Sequence, residues 1–364
     1  MLKTYHDKTN RFTEIFNDET GFYVRSGIIE NGVDTGVDPF MRDFPQLIDV
    51  GVMGSCIHGA SGLCAKSGVQ CYQNGRNIQK PNMSLSNFKK IVDQCKGKSF
   101  QFALGGRGDV DQHEDFEALL HYCRTNGIVP NFTSSGLGFT EDIVDIIAIG
   151  TGAVAISMYG SSYTYRAIKM LIDARVKTNI HYVLGNNSID EAIIRLRTND
   201  FPAGINAVIF LLHKPVGLGQ PENVLKASDP KVKTFFELIE TQQFPFKIGF
   251  DSCSCAGIVN FTDKINLDSI DYCEGARHSM YIDADMNAMP CSFANDDSSW
   301  FVSLKDHSIE EAWNSEVFDR FRDSLRNSCS GCKDRLFCGG GCPIVNEITL
   351  CNLKVRDRKL EKVW

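Results

Sequence analysis

Residues 47–71 read LIDVGVMGSCIHGASGLCAKSGVQC, and this stretch joins the first clear strand of the chain to its first group of cysteines. Residues 47–53 form a short run rich in apolar and β-branched side chains, which predicts a buried β-strand. The polar, glycine-rich segment behind it predicts a loop that contains Cys56, Cys64 and Cys71. A strand that leads directly into a three-cysteine loop is therefore the starting point for both fold and site.

The same pattern of strand followed by polar loop recurs as far as residue 251. Short apolar runs alternate with longer segments of helical period, which is typical of successive βα units. Parallel strands joined by helical crossovers form an open doubly wound sheet or a barrel, and in both the functional loops follow the strands. We predict strands over residues 47–53, 100–106, 128–134, 153–159, 177–184, 206–212 and 246–251, and helices over residues 85–96, 114–126, 141–149, 163–174, 189–197 and 230–241.

The composition is that of an ordinary globular protein. Of the 364 residues, 43% are hydrophobic and 23% are charged, and the net charge is −7. This acidic balance disfavours a nucleic-acid partner. The first residues are polar and no apolar run reaches the ~18 residues of a membrane span, so we expect a cytoplasmic protein without a membrane partner.

The fourteen cysteines need an explanation, because thiols stay reduced in the cytoplasm and disulfides are rare there. Metal binding is the better explanation. Two of the cysteines, Cys95 and Cys123, lie on predicted helices among apolar neighbours and are interpreted as buried thiols. Three of the others lie between Cys56 and Cys71, and nine lie between Cys253 and Cys351.

These patterns divide the chain into three regions. Residues 1–44 form an N-terminal extension with a possible hairpin over residues 15–29. Residues 45–252 form the βα core. From residue 253 to residue 364 the βα pattern stops, and the cysteines indicate a small domain organised by metal. One helix is predicted there over residues 309–321, with Ser308 and Glu311 at capping-box spacing.

The loop triplet Cys56, Cys64 and Cys71 has the composition of an open iron–sulfur site. Three thiolates can hold three irons of a four-iron cluster and leave the fourth iron free to bind a small molecule. A three-cysteine zinc site or simple buried thiols are the alternatives, since the gaps are longer than in common iron–sulfur motifs. The position at the end of a parallel strand favours a catalytic cluster.

The C-terminal cysteines have a more specific spacing. Cys329, Cys332, Cys338 and Cys342 are separated by two, five and three residues, and Cys351 follows after a gap. Upstream, seventeen residues separate Cys273 from Cys291. From about residue 40 to residue 351, the sequence resembles the SPASM branch of the radical S-adenosylmethionine (SAM) enzymes. This resemblance implies a partial (β/α)6-type TIM barrel followed by a small iron–sulfur (SPASM) domain.

The resemblance also implies three [4Fe–4S] clusters, one catalytic and two auxiliary. Cys56, Cys64 and Cys71 would hold the catalytic cluster. The inner auxiliary cluster would lack one ligand, for which Cys253 is preferred over Cys255, with a site left open as the alternative. The implied inner ligands are Cys273, Cys291 and Cys342, and the implied outer ligands are Cys329, Cys332, Cys338 and Cys351.

Residues at the predicted strand ends match positions where the family binds SAM. Gly105 and Gly106 resemble the family's Gly-Gly motif, and glycine permits a close backbone approach to the ligand's amino group. The Glu-Pro that often follows is absent, and Asp109 is the candidate carboxylate, although this segment can also be read as a tight loop. The triplet spacing departs from the family pattern too, and Tyr72, which follows the last cysteine, is the candidate adenine contact. Ser134, Ser157 and Asn179 are the remaining cofactor candidates.

Other polar residues have simpler interpretations. Asp111 and Glu114 have capping-box spacing and are predicted to start a helix, with an acid/base pair as the alternative. The loop over residues 215–219 contacts substrate or only turns the chain. The remaining candidates are histidines that could line the barrel mouth but are more often packing residues, namely His58, His113, His181 and His213.

The leading functional hypothesis is a peptide-modifying radical SAM enzyme. It would cleave SAM reductively to a 5′-deoxyadenosyl radical and modify a ribosomally made peptide or protein by cross-link, thioether or epimerisation. Ser292 stands where the sulfatase-maturing branch has Asp, which disfavours formylglycine formation. A flavodoxin or ferredoxin would donate electrons. A radical SAM dehydrogenase acting on a small molecule and a non-catalytic zinc-binding interaction protein are the alternatives.

Overall fold

The structure is a computed structural model that describes residues 1–66 and 68–351. Its N-terminal region is a three-stranded antiparallel sheet of β1 (Leu2–Asp7), β2 (Phe12–Asn17) and β3 (Tyr23–Arg25), followed by the short hairpin of β4 (Ile29–Glu30) and β5 (Val33–Asp34). The hairpin predicted over residues 15–29 is confirmed in part by the pairing of β2 with β3, whereas β1 was not predicted.

The centre of the molecule is a ten-stranded sheet in which seven successive strands pair in parallel. All seven predicted strands are confirmed, and their ends differ by at most two residues. They are β6 (Leu47–Met53), β7 (Gln101–Gly106), β8 (Val129–Ser134), β9 (Val154–Ser157), β10 (Thr178–Leu184), β11 (Ala207–Leu212) and β12 (Lys247–Phe250).

Helices connect these strands, as the βα pattern predicts. Two helices of four residues, α1 (Ile57–Ala60) and α2 (Leu63–Lys66), lie within the three-cysteine loop and were not predicted. The six predicted crossover helices are confirmed as α3 (Leu85–Cys95), α4 (Phe116–Thr125), α5 (Glu141–Gly150), α6 (Ser162–Asp173), α7 (Ile189–Thr198) and α8 (Pro230–Thr241).

The strands carry their apolar side chains on the outer face of the sheet, under the helices. Ile48, Val50 and Val52 of β6 are fully buried in the core, which also contains Cys95 and Cys123 as predicted. Alternation places Asp49 on the opposite, inner face, and its partner across the sheet is Ala103, which lines the interior space. The inner face of the sheet is therefore polar where the outer face is apolar.

The C-terminal region continues the central sheet, which the sequence did not predict. Strand β13 (Ser279–Ile282) pairs in parallel with β6, and β14 (Asn287–Met289) and β15 (Val302–Ser303) follow in antiparallel order. The helices of this region are α9 (Cys255–Phe261), α10 (Ile309–Trp313), α11 (Glu316–Asn327) and α12 (Arg335–Cys338). Ser308 and Glu311 form the predicted capping box, but the single helix predicted over residues 309–321 is wrong, because α10 ends and α11 starts anew behind Ser315.

The architecture is the expected open, partial barrel with a small C-terminal region. Residues 352–364 of the predicted C-terminal domain lie outside the described residues. Across residues 1–66 and 68–351, no helix is both long and apolar enough to cross a membrane.

Candidate functional site

The three cysteines behind β6 converge at the carboxyl end of the barrel strands. Cys56 caps α1, and its Sγ accepts a hydrogen bond of 3.2 Å from the backbone N–H of Gly59. The thiols of Cys56 and Cys64 hydrogen-bond to each other, which lowers the pKa of Cys56 to about 6 and raises that of Cys64. The charge of Cys71 raises the pKa of Cys64 further, so the third thiol lies nearby.

Close backbone packing holds this loop against the end of β7. A Cβ on Gly75 would lie 2.8 Å from the carbonyl oxygen of Arg107 and 3.1 Å from Cβ of Cys56. Gly106 has φ of +115°, and a Cβ there would lie 2.4 Å from the carbonyl oxygen of Met53. Only glycine fits both positions, so the glycine at the end of β7 is required by its contact with the segment behind β6.

Asp109, predicted to meet the cofactor, is already hydrogen-bonded within the protein. Its Oδ2 lies 3.0 Å from Nε2 of His58, and its Oδ1 accepts a 2.9 Å bond from the backbone N–H of Ser135. The hydrogen bond that the Asp109 carboxylate accepts from His58 raises the pKa of His58. This carboxylate therefore links the three-cysteine loop to the end of β8.

Asp111 is not the helix cap that its spacing with Glu114 predicts. Helix α4 starts at Phe116, and Asp111 lies in a turn before it, where its Oδ1 accepts a 2.7 Å hydrogen bond from Oγ of Ser134. Burial raises the pKa of Asp111 to about 6. The prediction that Asp111 caps α4 is therefore wrong, because its carboxylate is buried and bonded to Ser134.

The remaining cofactor candidates lie at two levels of the barrel. Gly105 and Ser157 lie at the carboxyl ends of β7 and β9. Asn179 lies near the start of β10, where its Oδ1 accepts a 2.7 Å hydrogen bond from Asn206. It lines a cavity of about 390 Å³ that also contacts Asp18 and Lys247, away from the three-cysteine loop. The structure therefore does not bring Asn179 together with the other candidates.

Four thiols meet between the end of β12 and the C-terminal region, and we call them the inner thiols: Cys253, Cys273, Cys291 and Cys342. The hydrogen bond with Cys342 raises the pKa of Cys253. Burial raises the pKa of Cys291, and the charges of Cys273 and Cys253 raise it further. Cys255 is engaged elsewhere, because its thiol donates a 3.0 Å hydrogen bond to the carbonyl oxygen of Asp271.

A further set, which we call the outer thiols, lies near α12, whose last residue is Cys338. Its members are Cys329, Cys332, Cys338 and Cys351. Burial raises the pKa of Cys338, and the charges of Cys329, Cys332 and Cys351 contribute to the rise. Gly339 adopts a left-handed conformation at the end of α12, with φ of +60°. The four C-terminal cysteines that the resemblance groups together are therefore neighbours in space.

The residues present fit iron–sulfur clusters by their chemistry. Thiolate sulfur is the usual ligand of such clusters, and three or four thiols converge at each of the three places. In the part of the chain that the structure describes, no group of three or more His, Cys, Asp or Glu side chains is arranged around a single metal ion.

Aromatic and charged side chains connect the three-cysteine loop to the inner thiols. The ring of Tyr72 lies 4.7 Å from that of Phe293, two residues after Cys291, so Tyr72 contacts the C-terminal region and not only the barrel. Nζ of Lys214 lies 4.5 Å from the centroid of the same Phe293 ring and pairs with Asp251. The sequence analysis did not single out Lys214, two residues after the end of β11, or Asp251, directly after β12.

The loop over residues 215–219 packs on the three-cysteine loop. The backbone N–H of Leu218 donates a 3.0 Å hydrogen bond to the carbonyl oxygen of Cys71. His213 lies at the start of this loop, and its Nε2 lies 3.0 Å from the carbonyl oxygen of Gln220. His113 lies 3.0 Å from the carbonyl oxygen of Met83 and His181 lies 3.4 Å from Thr133, so these histidines have partners within the protein.

Comparison with known proteins agrees with this architecture. Residues 273–333 match the family model of the SPASM iron–sulfur cluster-binding domain. The fold is similar to that of Streptococcus suis SuiB bound to S-adenosylmethionine, with a TM-score of 0.71 at 11% identity over 94% of each chain. SuiB bound to its precursor peptide SuiA gives a TM-score of 0.69 at 13% identity, covering 97% of this chain and 100% of SuiB. The protein anSMEcpe with bound AdoMet and the Cp18Cys peptide gives a TM-score of 0.58 at 14% identity, covering 86% of this chain and 92% of anSMEcpe.

Proposed function

The chain has the fold of the radical SAM enzymes together with a SPASM domain, and from this premise we propose that it cleaves SAM reductively and modifies a ribosomally made peptide or protein. One observation carries the proposal. The three-cysteine loop at the barrel mouth contacts the segment of the inner thiols through Tyr72 and Phe293, so the two thiol sets lie on either side of this aromatic contact. A substrate bound beside the contact would be near both sets.

Cys56, Cys64 and Cys71 would hold the catalytic cluster in this proposal. When bound there, a [4Fe–4S] cluster with one open iron supplies the electron that splits SAM into methionine and a 5′-deoxyadenosyl radical. Gly105 and Gly106 would let the backbone approach the amino group of SAM. Asp109 keeps the cysteine loop in register with β8 through His58 and Ser135.

The inner and outer thiols would hold two auxiliary clusters, which makes three clusters in all. An external flavodoxin or ferredoxin would supply electrons to the catalytic cluster, and the cytoplasm keeps the many thiols reduced. The inner thiols come from distant parts of the sequence, so a cluster joining them would also fasten the C-terminal region to the barrel mouth.

A peptide is the favoured substrate because two proteins of similar fold are described with bound peptides, SuiB with SuiA and anSMEcpe with Cp18Cys. Ser292 follows Cys291 directly, where formylglycine-forming enzymes have Asp. A cross-link, a thioether or an epimerisation is therefore the proposed class of product.

The test is anaerobic purification followed by iron analysis and a SAM cleavage assay. We expect a brown protein with about twelve irons per chain that slowly releases 5′-deoxyadenosine and methionine after reduction. Replacing Cys56, Cys64 and Cys71 by Ala should remove about four irons and abolish cleavage. A colourless protein with stoichiometric zinc, or undiminished cleavage by the triple variant, would contradict the proposal.

A further inference from the structure

Lys214 is a buried cation at the end of β11. Its side chain is 3% exposed. The ammonium donates a 2.9 Å hydrogen bond to the carbonyl oxygen of Leu212 and a second hydrogen bond to Oδ2 of Asp251. It also lies 4.5 Å from the ring centroid of Phe293. Three partners therefore fix a positive charge at one point of the barrel mouth, and a buried ammonium of this kind needs such partners to stay charged.

Asp251 is fixed equally well. Its Oδ2 accepts a 3.1 Å hydrogen bond from the backbone N–H of Leu212, and its Oδ1 accepts a 2.8 Å bond from Oγ of Ser254. These bonds tie the ends of β11 and β12 together. The pair has a defined orientation as a result, with the ammonium and the carboxylate at separate fixed positions.

The ammonium lies within electrostatic reach of the inner thiols. Asp251, its hydrogen-bond partner, lies two residues before Cys253 in the sequence. The ring of Phe293, 4.5 Å from Nζ of Lys214, lies two residues after Cys291. The two members of the pair are oppositely charged, so they act in opposite directions on a charge placed among these thiols.

We propose that Lys214 sets the reduction potential of the cluster held by Cys253, Cys273, Cys291 and Cys342, and this inference rests on the proposed function. One-electron reduction adds a negative charge to the cluster, and a fixed cation in a region of low dielectric stabilises that charge. Lys214 thereby raises the potential, and Asp251, with the opposite charge, lowers it. Lys214 is a positioning residue in this role, because it acts through the cluster and has no contact with substrate to make.

The experiment is a potentiometric titration of the full anaerobic chain with dithionite, followed by electron paramagnetic resonance. Loss of a signal in Cys253→Ser identifies the inner cluster. We expect Lys214→Met to shift its midpoint to lower potential, and Lys214→Arg, which keeps the charge, to stay near the parent. Asp251→Asn should shift the midpoint to higher potential. Lys177→Met, which removes a partly buried ammonium at the opposite end of the barrel, is the matched control and should leave the midpoint unchanged.

Opposite shifts in Lys214→Met and Asp251→Asn distinguish charge from packing, because loss of packing would move both variants in the same direction. An unchanged midpoint in Lys214→Met with full iron content overturns the inference, and so do shifts of equal sign. If Lys214→Met does not load iron, a midpoint of Lys214→Arg near the parent together with a higher midpoint of Asp251→Asn supports the inference, and an unchanged or lower midpoint of Asp251→Asn overturns it. A parent protein without iron at the inner thiols overturns the proposed function itself, which iron analysis detects separately.

Discussion

Two carboxylates of the site, which follow β7, are bonded to serines at the end of the neighbouring strand β8: Asp109 accepts from Ser135, and Asp111 accepts from Ser134. The convergence of the loop triplet Cys56, Cys64 and Cys71 was predictable, because a loop after a parallel strand brings near neighbours together. The Lys214–Asp251 ion pair was not predictable, because its two residues are 37 positions apart in the sequence. They meet only because the paired strands β11 and β12 end side by side. The position of Asp111 was not predictable either. Its spacing with Glu114 predicts a helix cap, but the side chain is buried.

The choice between Cys253 and Cys255 is testable at the level of single atoms. The thiol of Cys253 lies beside Cys342, whereas that of Cys255 donates to the carbonyl oxygen of Asp271, a bond that serine can also make. We expect Cys253→Ser to lose about four irons and Cys255→Ser to keep the parental iron content. Iron analysis with electron paramagnetic resonance measures both. Loss of iron in the Cys255 variant alone would reverse the assignment.

Secondary-structure elements were predictable where periodicity is long enough to read. Seven strands and six helices have at least four residues of consistent pattern, and all were found. Helices α1 and α2 have four residues each, which is too short for a helical period to appear. Strands β13 to β15 are short and surrounded by cysteines and turns, and the pairing of β13 with β6 depends on contacts between residues more than 200 positions apart.

Strand β6 carries a titratable group on its inner face, which gives a prediction for stability. Burial raises the pKa of Asp49 from 3.8 to about 7. Between these values the folded chain holds a proton that the unfolded chain has lost, so this group destabilises the fold progressively as the pH rises from about 4 to about 7. Asp49→Asn removes that penalty.

We expect Asp49→Asn to be more stable than the parent by about 2 kcal/mol at pH 8, with a smaller gap at pH 5.5. The expected difference in unfolding free energy is smaller than the pKa shift alone implies, because the side chain of Asp49 is only partly buried. Urea unfolding followed by fluorescence at the two pH values measures the gap. Asp145→Asn on the exposed face of α5 is the control and should show no such dependence. A gap that does not change with pH would contradict the assignment of the effect to this carboxyl group.

At the scale of the whole molecule, three regions of the chain meet around one arginine. Arg42 pairs with Glu14 of β2 at 3.1 Å, and both side chains are 0% exposed. The guanidinium carbon lies 3.6 Å from the ring centroid of Tyr5 in β1, and the carbonyl oxygen of Arg42 accepts a 3.0 Å hydrogen bond from Trp313 of α10. The N-terminal sheet, the segment that enters the barrel and the C-terminal region are thereby packed together, an arrangement that no local pattern in the sequence predicts.

This junction predicts a strongly non-additive pair of substitutions. Glu14→Gln keeps a group that can accept the hydrogen bond from Tyr23, but it leaves the buried charge of Arg42 without the carboxylate that balances it. We expect the single variant to lose about 3 kcal/mol of unfolding free energy, because an uncompensated buried charge is costly. Adding Arg42→Met removes that charge and fills the space with an apolar side chain, so the double variant should be more stable than Glu14→Gln alone. Denaturant unfolding of the parent, both single variants and the double variant measures the coupling. If the double variant lost the sum of the two single losses, Glu14 and Arg42 would contribute independently, and the N-terminal sheet would be fastened to the barrel by its apolar contacts.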